Sequence, residues 1–149
     1  MTKSLHPIAG LVALATIASF WSATVLSELF GSPTTIATVK TAVLWGFLIL
    51  IPALAATGAS GFALARGAKG GVIGVKRKRM PIIAANGLLV LVPSAFFLAA
   101  RARSGEFGPG FTLVQAIELI AGAVNLGLLG LNLRDGRRMT AGRRAAGRV

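Results

Sequence analysis

The sequence predicts an all-α, polytopic membrane protein whose four transmembrane helices form an antiparallel bundle with the N and C termini in the cytoplasm. Three observations lead there. The first is composition: of 149 residues, 54% are hydrophobic and only 13% charged, with a mean hydropathy of +0.76, whereas a soluble domain carries about a quarter charged residues. The second is four apolar runs, residues 7–27, 41–65, 81–100 and 113–133, each close to the ~20 residues that a helix needs to cross a bilayer. Lipid offers a backbone no hydrogen-bond partners, so such runs are helices. The third is the placement of charge. Thirteen of the sixteen Lys and Arg residues fall at the N-terminus (Lys3), in residues 66–79 and beyond residue 133, against Lys40, Arg101 and Arg103 on the other side. By the positive-inside rule both termini and the middle connection are cytoplasmic, as in a multi-pass protein of the bacterial inner membrane. Residues 1–133 form the membrane domain and 134–149 a basic cytoplasmic tail.

The first run has one Lys before it and small residues near Ala18 and Ala23. Its uncharged stretch is too long for a signal peptide, and retention keeps the topology even. Ser32 followed by Pro33 reads as an N-cap and first helical residue, so the second helix begins ahead of its apolar run. Pro52 and Pro93 each remove a backbone donor and kink helices two and three. Ala15, Ser19 and Ser22, and Ala53, Thr57 and Gly61, recur at near-four spacing, the pattern of close helix contact. Trp21 and Trp45 are candidates for the outer aromatic belt.

The middle connection is expected to be a flexible glycine-containing loop, Gly67, Gly70, Gly71 and Gly74 falling within it. Its Lys76, Arg77, Lys78 and Arg79 directly precede the third run, where they suit anionic lipid headgroups better than nucleic acid. The GEFGPG stretch at 105–110 is a turn-rich outer loop. Thr112 and Gln115 match a capping box at the start of helix four. Gly136 suits its C-cap, and the Arg-, Ala- and Gly-rich tail is expected to be disordered or to lie on the membrane surface.

There is no cysteine, no tyrosine and a single histidine, which removes thiol chemistry and disulfides and leaves no metal-ligand set. With no catalytic motif and so few titratable groups, the chain is expected not to be an enzyme. What remains is polarity inside the membrane. On the fourth helix Glu118, Gly122, Asn125 and Asn132 fall near one line, and polar groups in a membrane segment are expected to face protein or water. Glu118 is therefore the centre of a candidate intramembrane polar site, with Gln115, Ser22 and Ser94 at similar depth; Asn125 and Asn86, the latter in the cytoplasmic third of helix three, complete it as amides expected to hydrogen-bond between helices. It reads either as a proton- or cation-binding carboxylate or as a structural carboxyl hydrogen-bonded to its neighbours.

Three function classes follow. One is a non-enzymatic binding or transport unit, or accessory subunit, with Glu118 at its polar centre. The second is a b-type haem protein in electron transfer or haem handling, with His6 as axial ligand and two copies supplied across a homodimer. The third is a structural subunit of a larger membrane complex. Expected partners are lipids, including anionic headgroups, and a second copy or another membrane protein.

Overall fold

The computed structural model describes residues 2–64 and 71–146. Among these every regular element is helical: α1 (Thr2–Phe30), α2 (Pro33–Leu64), α3 (Gly71–Asn86), a π-helical turn (Gly87–Leu91), α4 (Val92–Arg103) and α5 (Pro109–Ala146). Four stretches, His6–Phe30, Pro33–Gly61, Arg79–Arg103 and Pro109–Arg137, are long and apolar enough to cross a membrane. The third of them is α3, the π turn and α4 running on as one rod.

The turns follow local chemistry. The Ser32 hydroxyl accepts from the Thr35 amide at 3.2 Å and the Ser32 carbonyl accepts from Ile36 at 2.9 Å. The N-cap is thus formed, and α2 starts at Pro33. After α4 the chain reverses through Gly105, whose φ of 71° is a left-handed conformation that L side chains resist. The π turn precedes Pro93. Val92 donates five residues back to Gly87, and Pro93 has no N–H to continue an α-helical ladder. An inserted residue thus stands just before Pro93, and Pro52 lies inside the unbroken α2.

Several expected boundaries move. α3 begins ten residues before the third apolar run, so Gly71 and Gly74 and the 76–79 basic cluster are helical, not loop. α5 passes through Gly136 and ends at Ala146, because Ala and Arg favour helix strongly enough to carry single glycines. The capping box at Thr112 is absent. α5 begins earlier, at Pro109, Thr112 donates to Gly108, and Gln115 is turned inward and buried.

α1 packs against α2 and α5, and both α2 and α5 pack against α4. The helices therefore form a ring in which α2 and α5 stand across a diagonal. The main core joins Ala13 and Ile17 of α1, Val43, Phe47 and Leu50 of α2, and Ala95 and Leu129. A smaller layer of Ile36, Leu98, Ala102 and Phe111 closes the end that carries residues 31–32 and 104–108. Trp45, Leu48 and Phe96 lie exposed on the outer faces, the arrangement a lipid-facing helix surface requires.

Candidate functional site

The polar residues of α5 face inward. Gln115, Gly122 and Asn125 are buried, and the Glu118 side chain is 14% exposed. The spacing that places them on one line is the helical period, and burying that line removes a carboxylate and two amides from lipid. Across the diagonal from α2 comes Lys40. Its side chain is 1% exposed and its Nζ donates to Glu118 Oε2 at 2.7 Å. Gln115 Nε2 donates to the same oxygen at 3.3 Å. The long lysine side chain closes the gap between two helices that otherwise hardly meet.

A second carboxylate belongs to this layer. Glu28 sits in the last turn of α1, and the charges that act on it are those of Lys40 and Glu118. Its Oε1 is buried and accepts no hydrogen bond, and the same is true of Gln115 Oε1. The site thus joins the Glu118 carboxylate, the Lys40 ammonium and the Gln115 amide, with Glu28 at the same end of the bundle and bonded to none of them.

Beside this layer lies a half-open cavity of about 70 Å³ lined by all four spans, Glu118, Thr24, Trp21, Phe47, Leu91 and Gly122 among the lining residues. Trp21 lies over Gly122. A Cβ at Gly122 would come within 2.9 Å of Trp21 Cδ1, so only glycine admits the indole here. Trp21 Nε1 donates to the Leu119 carbonyl at 3.0 Å. Trp21 is therefore an interior strut between α1 and α5, while Trp45 faces outward.

Below the cavity is a layer of neutral amides. Asn86 Nδ2 donates to Asn125 Oδ1 at 2.9 Å and to the Ala121 carbonyl at 2.8 Å, and Asn125 Nδ2 donates to the Ile83 carbonyl at 3.4 Å. Asn125 is 2% exposed and lies beside Gly87 at the start of the π turn. Further along, Met80 meets Asn132, and Arg79 pairs with Asp135 at 2.8 Å. Arg79 is thus engaged within the bundle. The side chains of Lys76, Arg77 and Lys78 lie outside the described residues.

His6 is half-buried between α1 and α2. Its Nδ1 is 3.1 Å from the Thr57 carbonyl and 3.2 Å from Ser60 Oγ. Among the described residues no three His, Cys, Asp or Glu side chains converge as a metal site.

Of the residues expected around Glu118, Gln115 is in contact, and Asn125 and Asn86 form their own layer one to two turns away. Ser94 is buried but makes no hydrogen bond to Glu118, and Ser22 is exposed. Ser22 follows Trp21, which takes the inward position, so about 100° of helical rotation carries the serine outward. Thr24 is the buried hydroxyl at that depth.

Lys40 and Glu28 are the residues sequence reasoning missed. Lys40 passes for a charge outside the second apolar run. The available signal was depth: with α2 starting at Pro33, Lys40 is about 10 Å in, and with α5 starting at Pro109, Glu118 is about 14 Å in. A lone cation and a lone anion at nearly equal depth are natural partners. Comparison with family models, curated proteins and solved structures returns no match to this chain.

Proposed function

We propose that the chain is a non-enzymatic, multi-pass protein of the bacterial inner membrane that binds or transports a proton or small cation at the Lys40–Glu118 site. The observation that carries this reading is the ion pair itself, buried across the bundle diagonal, with Glu118 lining the half-open cavity. Such a pair is a poor stabilising device. Removing two charges from water costs several kcal/mol per ion, and apolar residues of similar volume commonly do as well. Ionisable groups at membrane depth that face an internal cavity are best read as functional.

The orientation belongs to the same proposal. Phe20 on Gly46, Gly10 by Thr57 and His6 by Gly61 are contacts in which position falls along α2 as it rises along α1. Arg79–Asp135, Met80–Asn132 and Asn86–Asn125 do the same for α3 and α5. Both sets support antiparallel neighbours. With Lys40 buried and paired, the side opposite the basic segments loses one of its three cations as a topological charge, which sharpens the bias for cytoplasmic termini. The 76–79 cluster would then meet anionic headgroups, and the outward apolar faces would meet acyl chains, a second copy or another membrane protein. The haem reading rests on His6 alone, a residue whose Nδ1 faces Thr57 and Ser60 of α2.

The test is reconstitution into vesicles loaded with a pH-sensitive dye. An imposed pH or cation gradient should collapse faster with the protein than with empty vesicles, and Glu118→Gln should remove the difference. Equal rates for both proteins, with both correctly folded, would leave the ion pair a structural element of an accessory subunit.

A further inference from the structure

We infer that the species bound at this site is a single exchangeable proton, carried by Glu28 beside the Lys40–Glu118 pair and taken up from the end of the bundle that carries residues 31–32. The inference rests on the functional reading of the Lys40–Glu118 site and names its ligand.

The bonding supports it. Lys40 is paired with Glu118 alone, so an ionised Glu28 would add a negative charge that no cation touches. Lys40 is committed to Glu118 at 2.7 Å, with Gln115 donating to the same oxygen. Glu28 Oε1 is buried with no donor facing it. A buried carboxylate oxygen without a donor is the expensive state, and a protonated carboxyl is the cheap one. The other charged groups of this end are engaged elsewhere. Arg101 pairs with Glu106, and Arg103 donates to the Ala99 carbonyl of its own helix. No further charge from α4 faces Glu28 among the described residues.

Ligand count excludes the alternatives. Apart from Glu118 and Thr24 the cavity is lined by apolar and aromatic side chains, so a polar organic solute finds too few partners there. A bare metal cation needs a shell of about six oxygens. Here the oxygens free of a hydrogen bond are few and an ammonium already stands among them. A proton needs only one oxygen, and Glu28 supplies it. Glu28 is half-buried in the last turn of α1, next to the turn that returns the chain to water, while Glu118 touches the cavity. The step is a simple transfer: an O–H bond forms on the Glu28 carboxylate as an external hydronium ion gives up a proton and is left as water, and the bond breaks when the proton passes to another water.

Infrared spectroscopy of the full-length protein in lipid nanodiscs tests this cleanly. The chain has four acidic residues, and two of them, Glu106 and Asp135, are paired with arginines. Any carbonyl stretch of a protonated carboxylic acid at neutral pH therefore comes from Glu28 or Glu118. The expected spectrum shows one such band per chain, shifted in D₂O and lost on alkalinisation. Glu28→Gln should abolish it, Glu28→Asp should keep it at a displaced frequency, and Lys40→Met should double it by leaving both acids unpaired. Absence of the band from the wild type at every pH where the protein stays folded overturns the inference, as does a band that survives Glu28→Gln undiminished. Should Glu28→Gln not fold, the wild-type titration and the Lys40→Met doubling decide the matter. The vesicle assay separates the two levels. Proton flux lost in Glu118→Gln with no carboxylic band upholds the functional reading and sinks the Glu28 proton. A band without flux upholds the proton site and sinks transport.

Discussion

Removing the Lys40 charge alone should damage the bundle more than removing the whole ion pair. At the 2.7 Å separation of Lys40 Nζ and Glu118 Oε2, an effective dielectric constant of about 20 gives an attraction of about 6 kcal/mol. That attraction offsets a desolvation penalty of several kcal/mol for each ion. Lys40→Met abolishes the attraction and leaves Glu118 inside the bundle with only Gln115 as donor, so a loss of about 3–5 kcal/mol is expected. Lys40→Met combined with Glu118→Leu removes both penalties and should fall within about 1–2 kcal/mol of the wild type, or above it. The assay is reversible unfolding in mixed micelles with increasing SDS, followed by far-ultraviolet circular dichroism, for the wild type, both single variants and the double variant. A double variant whose loss equals the sum of the two singles would refute the reasoning, because it would show that the two charges are not energetically coupled.

Gly122→Ala should drive Trp21 from the Leu119 carbonyl, costing about 1–3 kcal/mol as overpacking and shifting the Trp21 emission when measured in a Trp45→Phe background. Asn125→Leu leaves Asn86 with the Ala121 carbonyl as its remaining partner, so a loss of about 1–2 kcal/mol is expected in the same unfolding assay. His6→Ala should cost about 1 kcal/mol through its contacts with Thr57 and Ser60 and leave the visible spectrum of the purified protein unchanged; a Soret band that disappears with this substitution would restore the haem reading. A reporter fused after Gly74 should be active only when that reporter works in the cytoplasm, and activity confined to a periplasmic reporter would reverse the topology.

The four spans were legible because a bilayer imposes one requirement on every residue of a span, and twenty apolar residues in a row satisfy it in few other ways. The inward stripe on α5 was legible for a similar reason: Glu118, Gly122 and Asn125 share a face by helical periodicity, whatever packs against it. The partner of Glu118 was not legible in that way. Periodicity fixes which side of α5 is polar, but which helix stands opposite depends on the order of helices around the ring, and Lys40 reaches Glu118 across the diagonal. Helix ends were hard for another reason. Gly74 and Gly136 are breakers by local propensity, yet α3 and α5 run through them, since one glycine costs only about 1 kcal/mol against the cooperativity of a long helix. Trp21 was misplaced because an indole suits a membrane interface and an interior seam equally well. Only the missing Cβ of Gly122 distinguishes them.

The two polar layers differ in what they can do with a proton, and this gives the site a direction. The layer of Glu28, Lys40, Gln115 and Glu118 contains groups that change charge. The layer of Asn86 and Asn125 contains none, and its hydrogen bonds are internally satisfied: Asn125 Oδ1 accepts from Asn86 while Asn125 Nδ2 reaches the Ile83 carbonyl. A satisfied amide neither takes a proton nor rotates to pass one without first breaking a bond. Asn125 lies about 10 Å along α5 from Glu118, and the cavity is lined by Glu118 and Gly122 but by neither asparagine. The π turn begins beside Asn125 at Gly87, and such single-turn insertions are frequent at functional sites. On the proposed orientation, a proton taken up by Glu28 from the periplasmic side meets no carboxylate or imidazole on α5 between Glu118 and Asp135. Under the proposed function, that spacing suits a site that binds a proton from one side, not a continuously open pore.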